Sequence, residues 1–136
     1  MKSRFYRYNK EAQLPERIHY SDTGADIYMP ENGIIHPGTT KVIPLGFGIE
    51  VPNGYNARLQ IRTSIAKHGI FCQGCAIDAG YTGEIHLILH NISCETFQWK
   101  KGDRLAYIEM YPCVYPEFVD TELEERYGNS FGSSGK

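Results

Sequence analysis

Short runs of β-branched and aromatic residues, each ended by glycine or proline, recur along the whole chain. The sequence of 136 residues holds 10 tyrosines and 6 phenylalanines, and 14 glycines with 7 prolines interrupt the apolar runs. Residues of the first kind are enriched in strands, and glycine and proline mark the turns between strands. The pattern therefore predicts an all-β fold of the sandwich, jelly-roll or small-barrel type.

Individual segments refine this prediction. The segment "KVIPLGFGIEVPNGYNARLQIRT" predicts two strands joined by a turn at Asn53–Gly54, because Asn-Gly is the strongest short hairpin signal. In "GEIHLILHNIS" the alternation places Ile85, Leu87 and Leu89 on one buried face. "RLAYIEMYPCVYPEFV" predicts another extended stretch, and "TSIAKHG" (63–69) is the one helical candidate.

The whole-chain properties limit the classes of function. A length of 136 residues and a net charge of −2 indicate one domain without a general polyanion-binding surface, although a few arginines could hold one triphosphate. Four scattered cysteines and the lack of an apolar leader or membrane span predict a soluble, cytoplasmic protein, in the host cytosol if the source is a virus. We expect a β domain over 1–119, followed by an acidic connector and a C-terminal arm over 120–136.

Two motifs carry little weight by themselves. Gly135-Lys136 would fit a phosphate-binding P-loop only with glycine at position 130, where the chain has Ser130. Cys72-x-x-Cys75 has the spacing of half a zinc site, but no second pair lies at ligand spacing, so cysteines in a hairpin are the favoured interpretation.

Two other segments have stronger chemical implications. "IRTSIAKHG" places Arg62, Thr63 and Ser64 before a helical turn, where they could form an anion cradle or serve as a simple helix cap. "AIDAGYTGEI" places Asp78 after an apolar residue and before glycines. That arrangement fits either a functional carboxylate near a ligand or an ordinary turn.

Five segments, in this order, resemble the trimeric dUTPase family: "SDTGADIYMP" (21–30), "RTSIAKHGI" (62–70), "AIDAGYTGEI" (76–85), "KGDRLAYIEM" (101–110) and "RYGNSFGSSGK" (126–136). The resemblance implies a distorted jelly roll, similar to a β-clip sandwich, with a mobile C-terminal arm. It also implies a homotrimer in which each active site is shared by three subunits and the arm closes over a site formed by neighbouring chains. No nucleic-acid or membrane partner is expected, and a regulatory protein partner stays open.

The implied reaction is hydrolysis of dUTP to dUMP and pyrophosphate by a dUTP diphosphatase. By resemblance, Asp78 is the general base that activates water for attack on the α-phosphorus, and Mg²⁺ is held mainly by substrate phosphates and waters rather than by side chains. Phe131 of the arm would stack on the base. The residues that would hold the phosphates are Arg62, Thr63 and Ser64 in the body and Arg126, Gly132, Ser133 and Ser134 in the arm.

Choice of base and sugar is also implied by the resemblance. A hairpin between Phe71 and Tyr81 would pair its main chain with the uracil edge, and Tyr81 would lie under the deoxyribose and exclude a 2′-hydroxyl. The hairpin residues assigned to substrate binding are Gly74, Cys75 and Ile77. Asp26, Asp103, Arg104 and Tyr107 are expected to support the site, for example by orienting arginines or metal-bound waters.

The chain departs from the family pattern at several positions. Cys75 replaces a glycine in the base-binding segment. Tyr107 replaces a glutamine, so one phosphate contact would be either missing or replaced by a phenol. Tyr127, Asn129 and Ser130 replace three glycines of the arm, which predicts a stiffer or differently folded arm.

Two alternatives remain open. A dCTP deaminase has a similar fold and an "ID-x-G-aromatic-x-G" segment, but the position of its catalytic glutamate holds Ile88, which cannot transfer protons. The second alternative is a nucleotide-binding regulatory trimer that acts through protein partners, and the presence of Asp78 argues against a purely binding role.

Overall fold

The computed structural model describes residues 1–123, which form eleven short strands and one helical turn. In chain order these elements are β1 (Phe5–Arg7), β2 (Ala25–Tyr28), β3 (Gly33–Ile35), β4 (Thr40–Pro44), β5 (Phe47–Ile49), β6 (Tyr55–Ile61), α1 (Thr63–Ala66), β7 (Ile70–Cys72), β8 (Ala76–Ile77), β9 (His86–Asn91), β10 (Phe97–Trp99) and β11 (Arg104–Pro112). The predicted all-β class is confirmed. No helix among residues 1–123 is long and apolar enough to cross a membrane.

Antiparallel pairing joins the strands into four small sheets. The largest has the order β2-β11-β6-β8, a second has the order β4-β9-β7, and β1-β5 and β10-β3 form two-stranded sheets. The four-stranded sheet carries most of the predicted site, because α1 directly follows β6 and Asp78 directly follows β8. Its order places β2 and β8 at opposite edges.

The core lies between these sheets. In β9, Leu87 and Leu89 are fully buried and Ile85 just before the strand is buried as well, which confirms the predicted alternation. Asn91 is the one buried polar side chain among residues 1–123, and its amide donates to the carbonyls of Ile35 (3.1 Å) and Glu95 (2.8 Å). A buried amide is tolerated here because its donors are satisfied.

The prediction of a hairpin at Asn53–Gly54 is correct for the turn but wrong for the pairing of the strands on either side of it. A turn is present, with Gly54 at a φ of +89° and the Tyr55 amide donating to the Pro52 carbonyl at 3.1 Å. The two flanking strands do not pair, however, because β5 pairs with β1 whereas β6 pairs with β11 and β8. The alternation of apolar residues fixes which face is buried but does not identify the neighbouring strand.

The hairpin predicted between Phe71 and Tyr81 is also wrong. β7 pairs with β9 and β8 pairs with β6, so the two strands of this segment belong to different sheets. Gly74 lies between them at a φ of +72°, a conformation that residues with a Cβ rarely adopt. The segment is therefore a connection from one sheet to the other.

Candidate functional site

A groove of about 510 Å³ lies where three of the five quoted sequence segments meet. It gathers the loop before β2, the start of α1 and the first half of β11. Its lining residues are Ile18, His19, Asp22, Thr23, Gly24, Asp26, Arg62, Thr63, Ser64, Arg104 and Tyr107. The predicted phosphate-binding residues of the body and three of the four predicted supporting residues thus share one surface.

Asp26 is the electrostatic centre of this groove. Its side chain is only 15% exposed, and its Oδ2 accepts a hydrogen bond from Arg104 Nη1 at 2.9 Å. Arg62 Nε lies 3.7 Å from the same oxygen. One carboxylate therefore holds two guanidinium groups side by side, an arrangement that fits the expected role of orienting arginines.

Arg62 is fixed by the main chain of β11 as well. Its Nη1 donates to the Arg104 carbonyl at 2.8 Å, and its backbone N–H donates to the Leu105 carbonyl at 3.0 Å. Arg62 is also the N-cap of α1, without a side-chain cap hydrogen bond. Thr63 and Ser64 of the first turn are exposed, so their hydroxyls and the leading N–H groups of the turn can bind a ligand oxygen.

Tyr107 lines the groove, and its ring packs closely against Gly24. Burial, followed by the negative charge of Glu109, raises the pKa of Tyr107 above its usual value. The phenol therefore stays protonated at neutral pH and can donate a hydrogen bond, as an amide side chain would at that position.

A Gly24→Ala substitution is expected to destabilise the protein and disturb this wall. An added Cβ would lie 2.1 Å from Tyr107 Cδ2 and 2.9 Å from the Ile108 carbonyl oxygen, and overpacking of this kind costs about 1–3 kcal/mol. We expect a lower melting temperature by thermal denaturation. In the Gly24→Ala/Tyr107→Ala double variant, the stability losses of the two single variants should not add, because the main clash is absent without the Tyr107 ring. Fully additive stability losses would contradict this packing.

The charges of the groove nearly cancel. Arg62 and Arg104 supply two positive charges, and Asp22 and Asp26 supply two negative ones. A triphosphate carries several negative charges, so the lining residues of this groove among residues 1–123 do not neutralise it. Neutralisation requires positive charge in addition to these lining residues.

Asp78 does not line this groove. It is exposed and follows β8, whereas Asp26 lies on β2 at the other edge of the same sheet. Three strand spacings separate these edges, a distance of roughly 14 Å. Arg62, at the start of the predicted phosphate-binding segment of the body, is separated from Asp78 along β6 instead: it lies five residues beyond Ala57, the partner of Ile77, or roughly 17 Å at strand rise.

The predicted base-binding residues lie near Asp78. Cys75 and Ile77 are buried, Gly74 is exposed, and an added Cβ at Gly74 would lie 3.7 Å from Ile88 Cδ1. Cys75 offers its carbonyl to the Leu59 amide at 3.1 Å, which ties the segment to β6.

Tyr81 is 46% exposed, and its hydroxyl donates to the Glu84 carbonyl at 2.9 Å. This hydrogen bond fixes the ring near Asp78 while part of it stays open to solvent. The expected contact of this ring with a deoxyribose stays a prediction.

Asp103 is not part of the groove. Its Oδ2 accepts the Lys100 amide at 2.8 Å, and its backbone carbonyl accepts the Met29 amide at 2.9 Å. These bonds close the turn before β11, so the described contacts of Asp103 are structural and its supporting role stays a prediction.

Sequence reasoning missed five residues that line the groove: Ile18, His19, Asp22, Thr23 and Gly24. The last three belong to the quoted segment "SDTGADIYMP", so the family resemblance contained a signal for them. The predicted arm residues Arg126, Phe131, Gly132, Ser133 and Ser134, and the departures Tyr127, Asn129 and Ser130, lie outside the described residues.

The donor set of the groove suits a metal that arrives with a ligand. Within residues 1–123 no group of three or more His, Cys, Asp and Glu side chains could hold a metal ion. Mg²⁺ does not require a protein cage, because it commonly binds substrate phosphates and waters with few carboxylates. The residues present are compatible with that mode.

Comparison with known sequences gives one consistent result. The sequence profile of the dUTPase family matches residues 10–135. The deoxyuridine 5′-triphosphate nucleotidohydrolase of Nautilia profundicola is 36% identical over 100% of both chains. The protein of the same name from Clostridium tetani is 35% identical and covers 93% of this chain, and 92% of its own length is matched.

Solved structures agree with the fold. The dUTPase of Staphylococcus bacteriophage 80alpha, solved with dUPNHPP, matches 99% of this chain and 99% of its own with a TM-score of 0.86 and 24% identity. A variant of the dUTPase from phage phi11 of S. aureus, described for its coordination of a structural Mg(II) ion, matches 92% of this chain and 99% of its own with a TM-score of 0.83 and 24% identity. The predicted jelly-roll fold is confirmed.

Proposed function

The chain belongs to the dUTPase family, and we propose that it is a dUTP diphosphatase that hydrolyses dUTP to dUMP and pyrophosphate. The observation that carries this proposal is the groove at Asp26, which brings the first, second and fourth family segments together with two arginines and two hydroxyls. Anionic phosphates are bound by such groups through charge-assisted hydrogen bonds.

In the proposed mechanism, Asp78 accepts the proton of a water molecule that attacks the α-phosphorus in line with the departing pyrophosphate. An exposed carboxylate at the end of a strand can reach such a water without rearrangement of the fold. The surrounding main chain fixes its position, since the Tyr81 amide donates to the Asp78 carbonyl at 3.2 Å.

The phosphates would bind in the groove. Arg62 and Arg104 neutralise charge there, and Asp26 keeps both guanidinium groups in place before substrate arrives, so little reorganisation is needed during the reaction. Thr63 and Ser64 donate hydroxyl hydrogen bonds, and the Tyr107 phenol replaces the amide of the family pattern. Mg²⁺, bound mainly by the phosphates and waters, would supply the remaining positive charge.

We propose that a complete site requires more than one copy of the chain. Asp78 lies apart from the groove, three strands from Asp26 and at the other end of β6 from Arg62, so an Asp78 from a neighbouring copy would complete the groove of the first. An apolar segment suited to contacts between copies follows β11: Val114, Phe118, Val119 and Leu123 are 85%, 91%, 72% and 66% exposed. These observations support the homotrimer that the family resemblance implies.

Recognition of uracil would come from the main chain between Gly74 and Ile77, and discrimination against a 2′-hydroxyl from the Tyr81 ring. This segment connects two sheets, and its ends are fixed by the pairing of β7 and β8. The arm residues Arg126, Phe131 and Gly132–Ser134 would add contacts to the γ-phosphate and the base.

A deaminase is disfavoured by the residue at position 88. Ile88 is half-buried in β9, and its Cδ1 lies against the position of Gly74. An apolar side chain beside the base-binding segment cannot exchange protons with a cytosine ring or an attacking water. We therefore expect no ammonia release from dCTP.

The function is tested by incubation of the protein with dUTP, dCTP, dTTP and UTP in the presence of Mg²⁺. Pyrophosphate and ammonia are measured in every reaction. Of the four nucleotides, we expect only dUTP to release pyrophosphate rapidly, and we expect no ammonia from any of them. Ammonia from dCTP would favour the deaminase, and binding without any hydrolysis would favour a regulatory role.

A further inference from the structure

Two cysteines contact the same residue at the edge of the four-stranded sheet. The Leu59 amide donates to the Cys75 carbonyl at 3.1 Å, and the Cys72 Sγ lies 3.6 Å from the Leu59 carbonyl oxygen as its hydrogen-bond donor. The N–H and C=O of one strand residue point to the same side of the strand. The Cys72 thiol therefore lies next to the Cys75 main chain, in the place where a strand pair would return its second hydrogen bond.

In its thiol form Cys75 donates to the Gln73 carbonyl, with its Sγ 3.5 Å from the oxygen. The neighbouring Cys72 thiol, opposed by burial and helped by the Ile88 main chain, lowers the pKa of Cys75 to about 6. The neighbouring Cys75 and burial raise the pKa of Cys72. A lowered pKa at Cys75 favours a thiolate, and the thiolate is the nucleophile in disulfide exchange. Cys75 is buried, and Cys72 is the more accessible sulfur.

We propose that Cys72 and Cys75 form a reversible disulfide that switches off the base-binding segment Gly74–Ile77. The inference rests on the proposed function, since this segment is where uracil would bind. Both cysteines are free in the reduced protein, and a turn at Gly74 lies between them.

The oxidant is a small dialkyl disulfide such as oxidised glutathione. The Cys75 thiolate takes the proton of Cys72, and the Cys72 thiolate attacks one sulfur of the oxidant. A mixed disulfide forms on Cys72, and the first glutathione leaves as a thiolate that takes the proton back from Cys75. The Cys75 thiolate then attacks Cys72 Sγ, and the second glutathione leaves as a thiolate that takes a proton from water. One disulfide is reduced to two thiols and one protein disulfide is formed.

The disulfide would change the geometry of the segment. Its sulfur atoms are about 2.05 Å apart, much closer than a hydrogen-bonded pair. Cys72 would lose its donor hydrogen to the Leu59 carbonyl, and Cys75 would be drawn toward β7. The main chain between the two cysteines, which includes Gly74 at its positive φ, would then present a different pattern of hydrogen-bond donors and acceptors to a base.

The covalent step is tested on the full-length protein by incubation with oxidised glutathione, alkylation of free thiols and mass spectrometry. Cleavage after Lys67 and Glu84 isolates a peptide that contains Cys72 and Cys75 and neither Cys94 nor Cys113. We expect this peptide to lack two hydrogens and to carry no alkyl groups. Doubly alkylated peptide after oxidation, or a disulfide to Cys94 or Cys113 instead, would overturn the inference.

The functional step is tested by the kinetics of dUTP hydrolysis before and after oxidation. We expect the KM for dUTP to rise at least about tenfold, as misplacement of a binding group by about an ångström can do, and dithiothreitol to restore it. The Cys72→Ser variant keeps a hydroxyl donor near Leu59 and should be insensitive to the oxidant. Cys94→Ser, at an exposed position, is the matched control and should stay sensitive.

The outcomes separate the two proposals. A reduced protein without dUTP hydrolysis would refute the proposed function, whereas the mass spectrum would still decide whether the disulfide forms. An active reduced protein whose KM is unchanged by a fully formed Cys72–Cys75 disulfide would overturn the switch alone.

Discussion

Replacement of Asp78 by asparagine is expected to lower kcat for dUTP hydrolysis by about 10³-fold, within the range of general-base catalysis, while nucleotide binding is retained. Asparagine has nearly the same shape, so the strand end and the Tyr81 amide contact should survive. The amide cannot accept a proton from the attacking water. Pyrophosphate release measures the first effect, and calorimetric titration with an α,β-imido analogue of dUTP measures the second.

Glu31→Gln is the control, since Glu31 is an exposed carboxylate outside the groove. Its turnover should equal that of the unmodified protein. Near-normal turnover of Asp78→Asn would show that another group activates the water. Loss of binding together with turnover would instead assign Asp78 to substrate binding.

Asp26→Asn is expected to lower kcat/KM by about 10²-fold, because misplaced charged groups cost about that much in positioning. The carboxylate accepts from Arg104 at 2.9 Å and lies 3.7 Å from Arg62 Nε. A neutral amide leaves the two guanidinium groups to repel each other, so Arg62 and Arg104 should no longer hold the geometry that the phosphates require. Steady-state kinetics with dUTP and Mg²⁺ gives the result.

Glu11→Gln provides the comparison for this variant. Glu11 pairs with Lys101 on the surface, where the side chains are 47% and 49% exposed, and exposed pairs contribute only about 0–1 kcal/mol. This variant should retain normal kinetics. Equal kinetics for Asp26→Asn would mean that the arginines are held without the carboxylate.

Much of the fold could be predicted from local pattern. The alternation around Leu87 and Leu89 identified the buried face of β9, because the side-chain period of a strand is a local property. The turn at Gly54 was found for the same reason, since glycine readily adopts a positive φ. The strand partners were not found, because pairing between distant segments depends on packing across the whole domain.

The site, too, was predictable where it depends on local sequence and not where it depends on strand pairing. Arg62, Thr63 and Ser64 were identified from their position before a helical turn and from the family resemblance. The contact of Asp26 with two arginines could not be derived, since it depends on the register between β2 and β11. The separation of Asp78 from the groove likewise follows from the strand order, which no single segment contains.

The separation of Asp78 from the groove within one chain has a consequence for cells that make two versions of the protein. Under the proposed assembly, a subunit with a defective half-site also inactivates the site to which a normal neighbour contributes the other half. A cell that makes defective and normal copies together would then lose active sites faster than it loses normal copies, because each site samples several subunits.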